Sequence, residues 1–229
     1  VVQTITKSSV IPLFQNIAPV YDRLNRLISG GMDRSWRREL IRRMDIQPGQ
    51  VVLDVSTGTG DVAIEASKIC PGCRVVGLDP APKMVALFRR KSPSAVVTLG
   101  TAENLPFRDG SVDHVTCAFG LRNFSNRVVG YAQIRRVLKP GGLWGFLEMT
   151  APQGRIFPLI YGFYFKRLVP LVGTVISLYP GAYHYLRDSV YAFPGYEAMK
   201  AEHETSGFSL VYYRAIMRGA VGLFVFRKT

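Results

Sequence analysis

The sequence predicts an α/β fold with a mostly parallel sheet that ends in an antiparallel hairpin. Three observations carry this expectation. Strand-like and helix-like segments alternate from Val51 to Glu148, a Gly-x-Gly turn follows the first strand, and two apolar runs end the chain across a short connection. At 229 residues, 48% hydrophobic and 20% charged, the chain suits one full core and reads as a single domain over 1–229. It shows no low-complexity tract or repeat period. The chain begins at Val1 and not at Met, which leaves a preceding targeting signal open. No charge-free stretch is long enough to span a bilayer.

In chain order, residues 1–45 are predicted as a helical lid, with the helical pattern over 8–45 lying across the mouth of a site. A cofactor-binding core over 50–150 follows. Its strands and helices are Val51 to Val55 with a helix to Ile69, Arg74 to Leu78 with a helix to Arg90, Ala95 to Leu99, Val112 to Ala118 with a helix to Leu138, and Leu143 to Glu148. Lys139-Pro140-Gly141-Gly142 should stop the helix and turn the chain into the last of these strands. Residues 155–190 form an apolar, aromatic insertion broken by Pro158, Pro170, Gly173 and Pro180. Its runs, Ile156 to Phe165 and Leu168 to Tyr183, suit the lining of an apolar tunnel, a membrane surface, or an extra helical pair on the core. The hairpin occupies 208–227, pairing Ser209 to Ala215 with Gly219 to Arg227 across Met217 and Arg218.

The formal net charge of +13 implies attraction to an anionic partner, which could be RNA, an acidic lipid surface or an anionic substrate. Basic clusters stand at Arg34, Arg37, Arg38, Arg42 and Arg43, at Arg89, Arg90 and Lys91, and at Arg135, Arg136 and Lys139. Each also fits a solvated helix face. Cys70, Cys73 and Cys117 are too few for a disulfide framework, and Cys70-Pro-Gly-Cys73 lacks the second ligand pair of a structural zinc site. Incidental thiols or a local disulfide are expected there, and no metal.

The stretch Val51 to Asp61 carries the most chemistry. An apolar strand runs into Gly58-x-Gly60, where the backbone can turn tightly and approach a ligand. The glycines with Ala63 also fit a dinucleotide fingerprint. A helix N-terminus favours a pyrophosphate, but Asp54 and Asp61 would repel it, whereas a sulfonium bearing an ammonium group would be accepted. The pocket therefore points to S-adenosylmethionine. Asp79 closes the second strand, about 20 residues after the glycine turn, where a carboxylate can accept hydrogen bonds from both ribose hydroxyls of either cofactor class. The backbone of Gly100 to Phe107 could read an adenine edge, with Leu105, Pro106 and Phe107 on the apolar side.

Nearly end to end, the chain resembles the quinone-biosynthesis C-methyltransferases that act on demethylmenaquinol and the matching ubiquinone precursor. The resemblance rests on Phe14, Ile17, Ala18, Tyr21, Asp22, Asn25, Ser29, Gly31, Trp36 and Arg37, and on Val52-Leu53-Asp54 with Gly58-Thr59-Gly60-Asp61. It continues through Ala102-Glu103-x-Leu105-Pro106-Phe107, Phe119-Gly120-Leu121-Arg122-Asn123, Val137-Leu138-Lys139-Pro140-Gly141-Gly142, Glu148, and Tyr183-x-Tyr185-Leu186-x-x-Ser189. The glycine turn and the Leu-Lys-Pro-Gly-Gly run mark the class I, Rossmann-like methyltransferase fold in general. Phe-Gly-Leu-Arg-Asn with the N-terminal Tyr-Asp pattern is more specific. The resemblance implies Thr59 and nearby backbone at the methionine part, Asp79 on the ribose, and Thr101 with Ala102 near the adenine. Thr101 departs from the usual Asn or Asp, and Ala118 from a common Ser.

Methylating an aromatic carbon requires carbon, methyl and sulfur nearly in line and a ring made electron-rich by loss of a hydroxyl proton. Arg122 is the first candidate to stabilise that oxyanion, directly or through a held water; Asn123 could orient the water or the second hydroxyl, and Tyr21 could order the lid over the ring. Capping the helix after the fourth strand is the alternative for Asn123, and simple packing for Tyr21. His114 in a strand, His184 in the Tyr-rich segment and His203 on a polar helix have no acid paired with them by motif, so no catalytic histidine is assigned.

The implied activity is S-adenosylmethionine-dependent C-methylation of a polyprenylated quinol, demethylmenaquinol first. The insertion would take the isoprenoid tail. The enzyme would be cytoplasmic and peripheral to the anionic inner face of the membrane, and pairing into a homodimer is left open. An RNA methyltransferase lacks an appended RNA-binding module, an Asn-Pro-Pro-Tyr motif and a cysteine nucleophile beside proline, so nucleic acid is not an expected partner. A nicotinamide-dependent dehydrogenase is disfavoured by Asp61 and by the want of a separate catalytic domain.

Overall fold

The computed structural model describes residues 10–152, 162 and 180–229. Helices α1 (Val10–Ile17), α2 (Tyr21–Ser29) and α3 (Asp33–Arg43) precede the sheet. The parallel strands are β1 (Val51–Val55), β2 (Arg74–Asp79), β3 (Val96–Leu99), β4 (Val112–Ala118) and β5 (Leu138–Met149), with α4 (Asp61–Ile69), α5 (Pro82–Lys91) and α6 (Arg127–Val137) between them. After α7 (Pro180–Tyr191) and α8 (Tyr196–Thr205), β6 (Phe208–Ile216) and β7 (Val221–Lys228) complete an antiparallel hairpin. The order is β3-β2-β1-β4-β5-β7-β6. Strand order reverses between β1 and β4, and their carboxyl ends flank the crevice where ligands bind in open α/β sheets.

Alternation along the strands fills both layers. Trp144 and Phe146 pair with Phe226 and Phe224 across β5 and β7, the Phe146 and Phe224 ring centroids lying 4.8 Å apart. They share a core with Tyr131 and Ile134 of α6 and Met199 of α8. Leu147, Leu223 and Val225 point the other way, onto Trp36, Leu40 and Met44. Each fully buried Phe or Leu contributes roughly 1.5–3 kcal/mol, so the β5–β7 pairing anchors the sheet beneath the crevice. The N-terminal helices cover that crevice. Leu13, Ile17 and Leu24 pack with Val190 and Ala220, and Ala18 packs with Ala81 and Met84.

Several expectations are corrected. The helix before β5 ends at Val137, and Lys139 to Gly142 lie within the strand's span as a bulge. The register jumps from Val112↔Leu138 to His114↔Leu143, leaving these residues opposite Asp113, whose Oδ1 accepts from Lys139 Nζ at 2.7 Å. The final strand starts at Val221 because Gly219, at φ 87°, belongs to the turn, where its N–H donates to Ile216 O at 3.1 Å. His203 is wholly buried, not on a polar face. Its Nε2 accepts from Trp144 Nε1 at 3.0 Å and its Nδ1 pairs with Met199 O at 2.7 Å, while burial lowers its pKa to about 4. Cys70, Cys73 and Cys117 are free thiols. Residues 155–179 of the expected apolar insertion lie outside the described residues, Gly162 excepted.

Candidate active site

Two turns build the crevice. After β1, Ser56 takes φ 54°, and after β4, Phe119 takes φ 61°, left-handed conformations that cost non-glycine residues about 1–3 kcal/mol each. The turns touch at Gly120, where a Cβ would lie 2.5 Å from that of Ser56. At Gly60, with φ 85°, a Cβ would lie 2.1 Å from the Phe88 ring. The glycine turn is therefore a place of close packing as well as of ligand approach.

A smaller cavity of about 100 Å³ lies over Gly58, Asp79, Thr101 and Ala102. Asp79 Oδ2 accepts from Gly58 N at 2.8 Å and its Oδ1 from Ala81 N at 2.9 Å. Burial raises the Asp79 pKa against the pull of these two bonds. Each oxygen keeps lone-pair capacity for a further donor. Ile11, Met84 and Phe124 supply apolar walls. The volume is below the roughly 300–1,000 Å³ of ligand pockets, because α1 lies over it with Val10 and Ile11 in its wall.

Asp54 stands behind this cavity, not in its wall. Its Oδ2 accepts from Thr57 Oγ1 at 2.5 Å and its Oδ1 from Thr116 Oγ1 at 2.8 Å, Thr116 being its register partner on β4. Burial raises its pKa to about 6, opposed by these hydroxyls. Asp61 and Thr59 turn to a different cluster. Lys91 Nζ meets Asp61 Oδ1 at 2.6 Å, Asp22 Oδ2 at 2.6 Å and Thr59 Oγ1 at 2.8 Å, and the Thr59 hydroxyl donates to Asp22 Oδ1 at 2.6 Å. This cluster ties α2 to the start of α4 and the end of α5. With Lys91 beside it, Asp61 does not by itself select a cation over a pyrophosphate.

A larger cavity of about 520 Å³ adjoins the first, and Phe14, Tyr21 and Phe119 line both. Arg122 lies in its wall, on the short 3-10 turn Leu121–Asn123. Its Nη1 donates to Glu148 Oε1 at 2.5 Å and to Phe119 O at 2.7 Å, and its backbone N–H donates to Glu148 Oε2 at 3.0 Å. Its Nε–H is buried and has no hydrogen-bond partner among the described residues. Desolvation opposes Glu148 in setting the Arg122 pKa, yet the net direction is up, so the guanidinium stays charged. Tyr21 is half-buried in the same wall, and desolvation raises its pKa against Asn25, Arg37 and Arg122. It therefore stays a neutral donor. Asn123 Oδ1 accepts from the Tyr185 hydroxyl at 2.7 Å. The helix cap belongs to Asn126, whose Oδ1 accepts from Val129 N at 3.2 Å, which removes the capping alternative for Asn123.

Four participants were missed. Glu148, wholly buried, ends an apolar strand, and an acid in that position was the available signal. Arg37, named for the resemblance but placed in a basic cluster that also fitted a solvated face, is buried and ion-paired with Asp33 one helical turn away, its guanidinium 5.4 Å from the Phe119 ring centroid. Arg37 and Asp33 line the larger cavity. The i, i+4 spacing was visible; the burial was not. Tyr185 and Lys91 reach the site only through tertiary contacts.

The profile of the ubiE/COQ5 methyltransferase family matches residues 2–228. The chain is 46% identical over 203 residues to the ubiquinone/menaquinone biosynthesis C-methyltransferase UbiE of Geobacter sulfurreducens, covering 86% of this chain and 79% of that one. It is 41% identical over 221 residues to the demethylmenaquinone methyltransferase of Deinococcus radiodurans, covering 95% and 91%. Among solved structures, it is similar to a SAM-dependent methyltransferase from Thermotoga maritima, with TM-score 0.68, 16% identity and coverage of 96% and 99%. The [4+2]-cyclase SpnF scores 0.69 at 16% identity, covering 97% and 96%. A cyclase on the same fold means that the architecture alone does not choose the reaction.

Proposed function

The chain belongs to the ubiE/COQ5 methyltransferase family, and on that premise we propose how its site methylates a quinol. The activity is S-adenosylmethionine-dependent C-methylation in quinone biosynthesis. The finer reading is that a polyprenylated quinol, demethylmenaquinol, places its ring in the larger cavity and the donor lies over Asp79.

The single observation that carries this reading is the wall the two cavities share. Phe14, Tyr21 and Phe119 bound both, so a ring in one and a donor in the other would meet there. The residues around the smaller cavity fit an adenosyl group: Asp79 has acceptor capacity for ribose hydroxyls, Thr101 and Ala102 offer polar backbone, and Ile11, Met84 and Phe124 offer flat apolar contact. The donor supplies an electrophilic methyl on a sulfonium.

The protein's own contribution is alignment and charge. Holding two reactants in line can supply roughly 7–11 kcal/mol of the barrier. A phenolic hydroxyl titrates near about 10, so the ring must be activated by stabilising its phenolate. Arg122 is assigned this role. A buried donor left unpaired costs about 1–3 kcal/mol, and an oxygen reaching its Nε–H would remove that cost. Glu148 holds the guanidinium in place but also offsets its charge, so Arg122 acts chiefly as an oriented donor. Tyr21, kept protonated by burial, donates from the lid, and Asn123 is held by Tyr185. Asp54, whose oxygens are taken by Thr57 and Thr116, positions the glycine turn; Thr59 and Asp61 hold the lid shut over the donor.

Among the described residues no helix is long and apolar enough to cross a membrane. The quinol's tail nevertheless requires access to lipid, so the enzyme is assigned to the cytoplasm, peripheral to the inner face of the membrane. One chain holds both the donor and the quinol ring in this reading.

Calorimetry tests the donor assignment. S-adenosylmethionine and S-adenosylhomocysteine should bind and NADH should not; tight NADH binding with no heat from either sulfur compound would overturn it.

A further inference from the structure

Three large apolar side chains in the wall of the larger cavity are exposed to solvent: Leu27 at 52%, Met32 at 42% and Met217 at 38%. Residues that both line a cavity and face water mark its mouth. Leu27 lies in the last turn of α2, Met32 stands in the turn before α3, and Met217 is at the tip of the β6–β7 hairpin. The turn between α2 and α3 projects freely, since a Cβ at Gly30 or Gly31 would meet nothing within 4 Å.

The hairpin tip is built against its backbone preference. In the four-residue connection between Ile216 and Val221, Met217 and Arg218 have φ 48° and 51°, left-handed backbone that non-glycine residues adopt only at a cost. Neither residue gains locally from that conformation, and together they present one long apolar chain and one cation at the mouth. Two more cations join them. Arg23 precedes Leu27 by one helical turn and so shares its face, and Arg34 follows Met32 by two residues. Arg23, Arg34 and Arg218 are exposed, and among the described residues none of them forms an ion pair.

We propose that this mouth is a membrane-docking lip. Leu27, Met32 and Met217 enter the apolar edge of a bilayer, and Arg23, Arg34 and Arg218 hold its anionic headgroups. Long apolar chains flanked by arginines are what an anionic lipid interface accepts. The cavity would then open directly into the leaflet, and a lipid-borne substrate could enter without crossing water. The lip rests on the quinol reading only for the identity of what passes through it.

Vesicle sedimentation with the full chain tests the lip, using phosphatidylcholine with and without phosphatidylglycerol. Wild type should prefer the anionic vesicles and weaken with salt. The variant R23E/R34E/R218E should lose about tenfold or more in affinity for them, yet methylate a tailless quinol in solution at the wild-type rate. A control with the same charge change on exposed arginines away from the crevice, R74E/R108E/R135E, should retain most of the binding. The variant L27D/M217D should lose binding to both vesicle types while still binding S-adenosylhomocysteine, which reports its fold. Equal loss in the control and the lip variant would overturn the proposal, as would wild-type binding by L27D/M217D. If no protein methylates any quinol, the functional reading fails while the vesicle comparison still decides the lip.

Discussion

Arg122 Nη1 and Glu148 Oε1 meet at 2.5 Å where β4 and β5 end, the carboxylate wholly buried and the guanidinium nearly so. The same carboxylate also accepts the Arg122 and Met149 backbone N–H groups, at 3.0 and 2.9 Å. One acid thus fixes the turn, the guanidinium and the start of the next loop.

Arg122→Ala would strand that carboxylate. The expected cost is about 3–5 kcal/mol of stability, with a loss in turnover on the order of 10²–10³-fold. Replacing both partners, as Arg122→Met/Glu148→Leu, should restore much of the stability because a well-packed apolar pair is often neutral. It should not restore turnover. Denaturant unfolding and single-turnover rates on both variants separate the two roles, and a double variant with near wild-type turnover would remove Arg122 from the chemistry.

Asp79→Ala removes the acceptor for Gly58 N and Ala81 N as well as the assigned ribose contact. Hydrogen bonds to a charged group are worth about 1.5–3 kcal/mol, so donor affinity should fall by about 10- to 100-fold. Titration calorimetry with S-adenosylhomocysteine reads this directly; unchanged affinity would place the ribose elsewhere.

Lys91→Met removes the cation between Asp22 and Asp61 and leaves the two carboxylates facing each other. The α2 lid should loosen, and S-adenosylhomocysteine should dissociate several-fold faster in stopped-flow experiments. If release is unchanged, the cluster does not hold the lid.

Asp54 and His203 are both buried and titrate in opposite senses. Burial takes Asp54 up to about 6 and His203 down to about 4. As pH falls between about 6 and 4, native Asp54 keeps a proton that the unfolded chain lacks, which adds stability. Between about 6.5 and 4 the unfolded His203 takes a proton that the native ring refuses, which removes stability. At about 1.36 kcal/mol per unit, each amounts to roughly 3 kcal/mol, and the two nearly cancel. Relative to wild type, Asp54→Asn should therefore lose about 3 kcal/mol from pH 7 to 4, and His203→Phe should gain as much. Denaturation at stepped pH tests this, and slopes of one sign for both variants would contradict it.

The features that the sequence conveyed were local. Val51 to Val55 announced a buried strand by composition, Asp79 stood out as an acid at a strand end, and helical periodicity marked the helices before the sheet. What it concealed depends on contacts distant in the chain. Asp61 looked like a free charge at a helix start, but Lys91, 30 residues away, pairs with it. His203 looked polar beside Glu202 and Glu204, although Tyr196, Met199 and His203 form a stripe at helical spacing that faces Trp144 and Phe146. The Lys139 to Gly142 run has stop chemistry, yet the pairing of β4 with β5 resumes immediately beyond it, so the residues bulge instead of leaving the sheet.

In the proposed mechanism the donor and an electron-rich ring meet at the wall formed by Phe14, Tyr21 and Phe119. Offering the purified protein methyl-labelled S-adenosylmethionine with demethylmenaquinol, and locating the label in the product by mass spectrometry, tests it most directly. One labelled methyl on a ring carbon is expected. A label on oxygen, or no transfer while the donor binds, would contradict it.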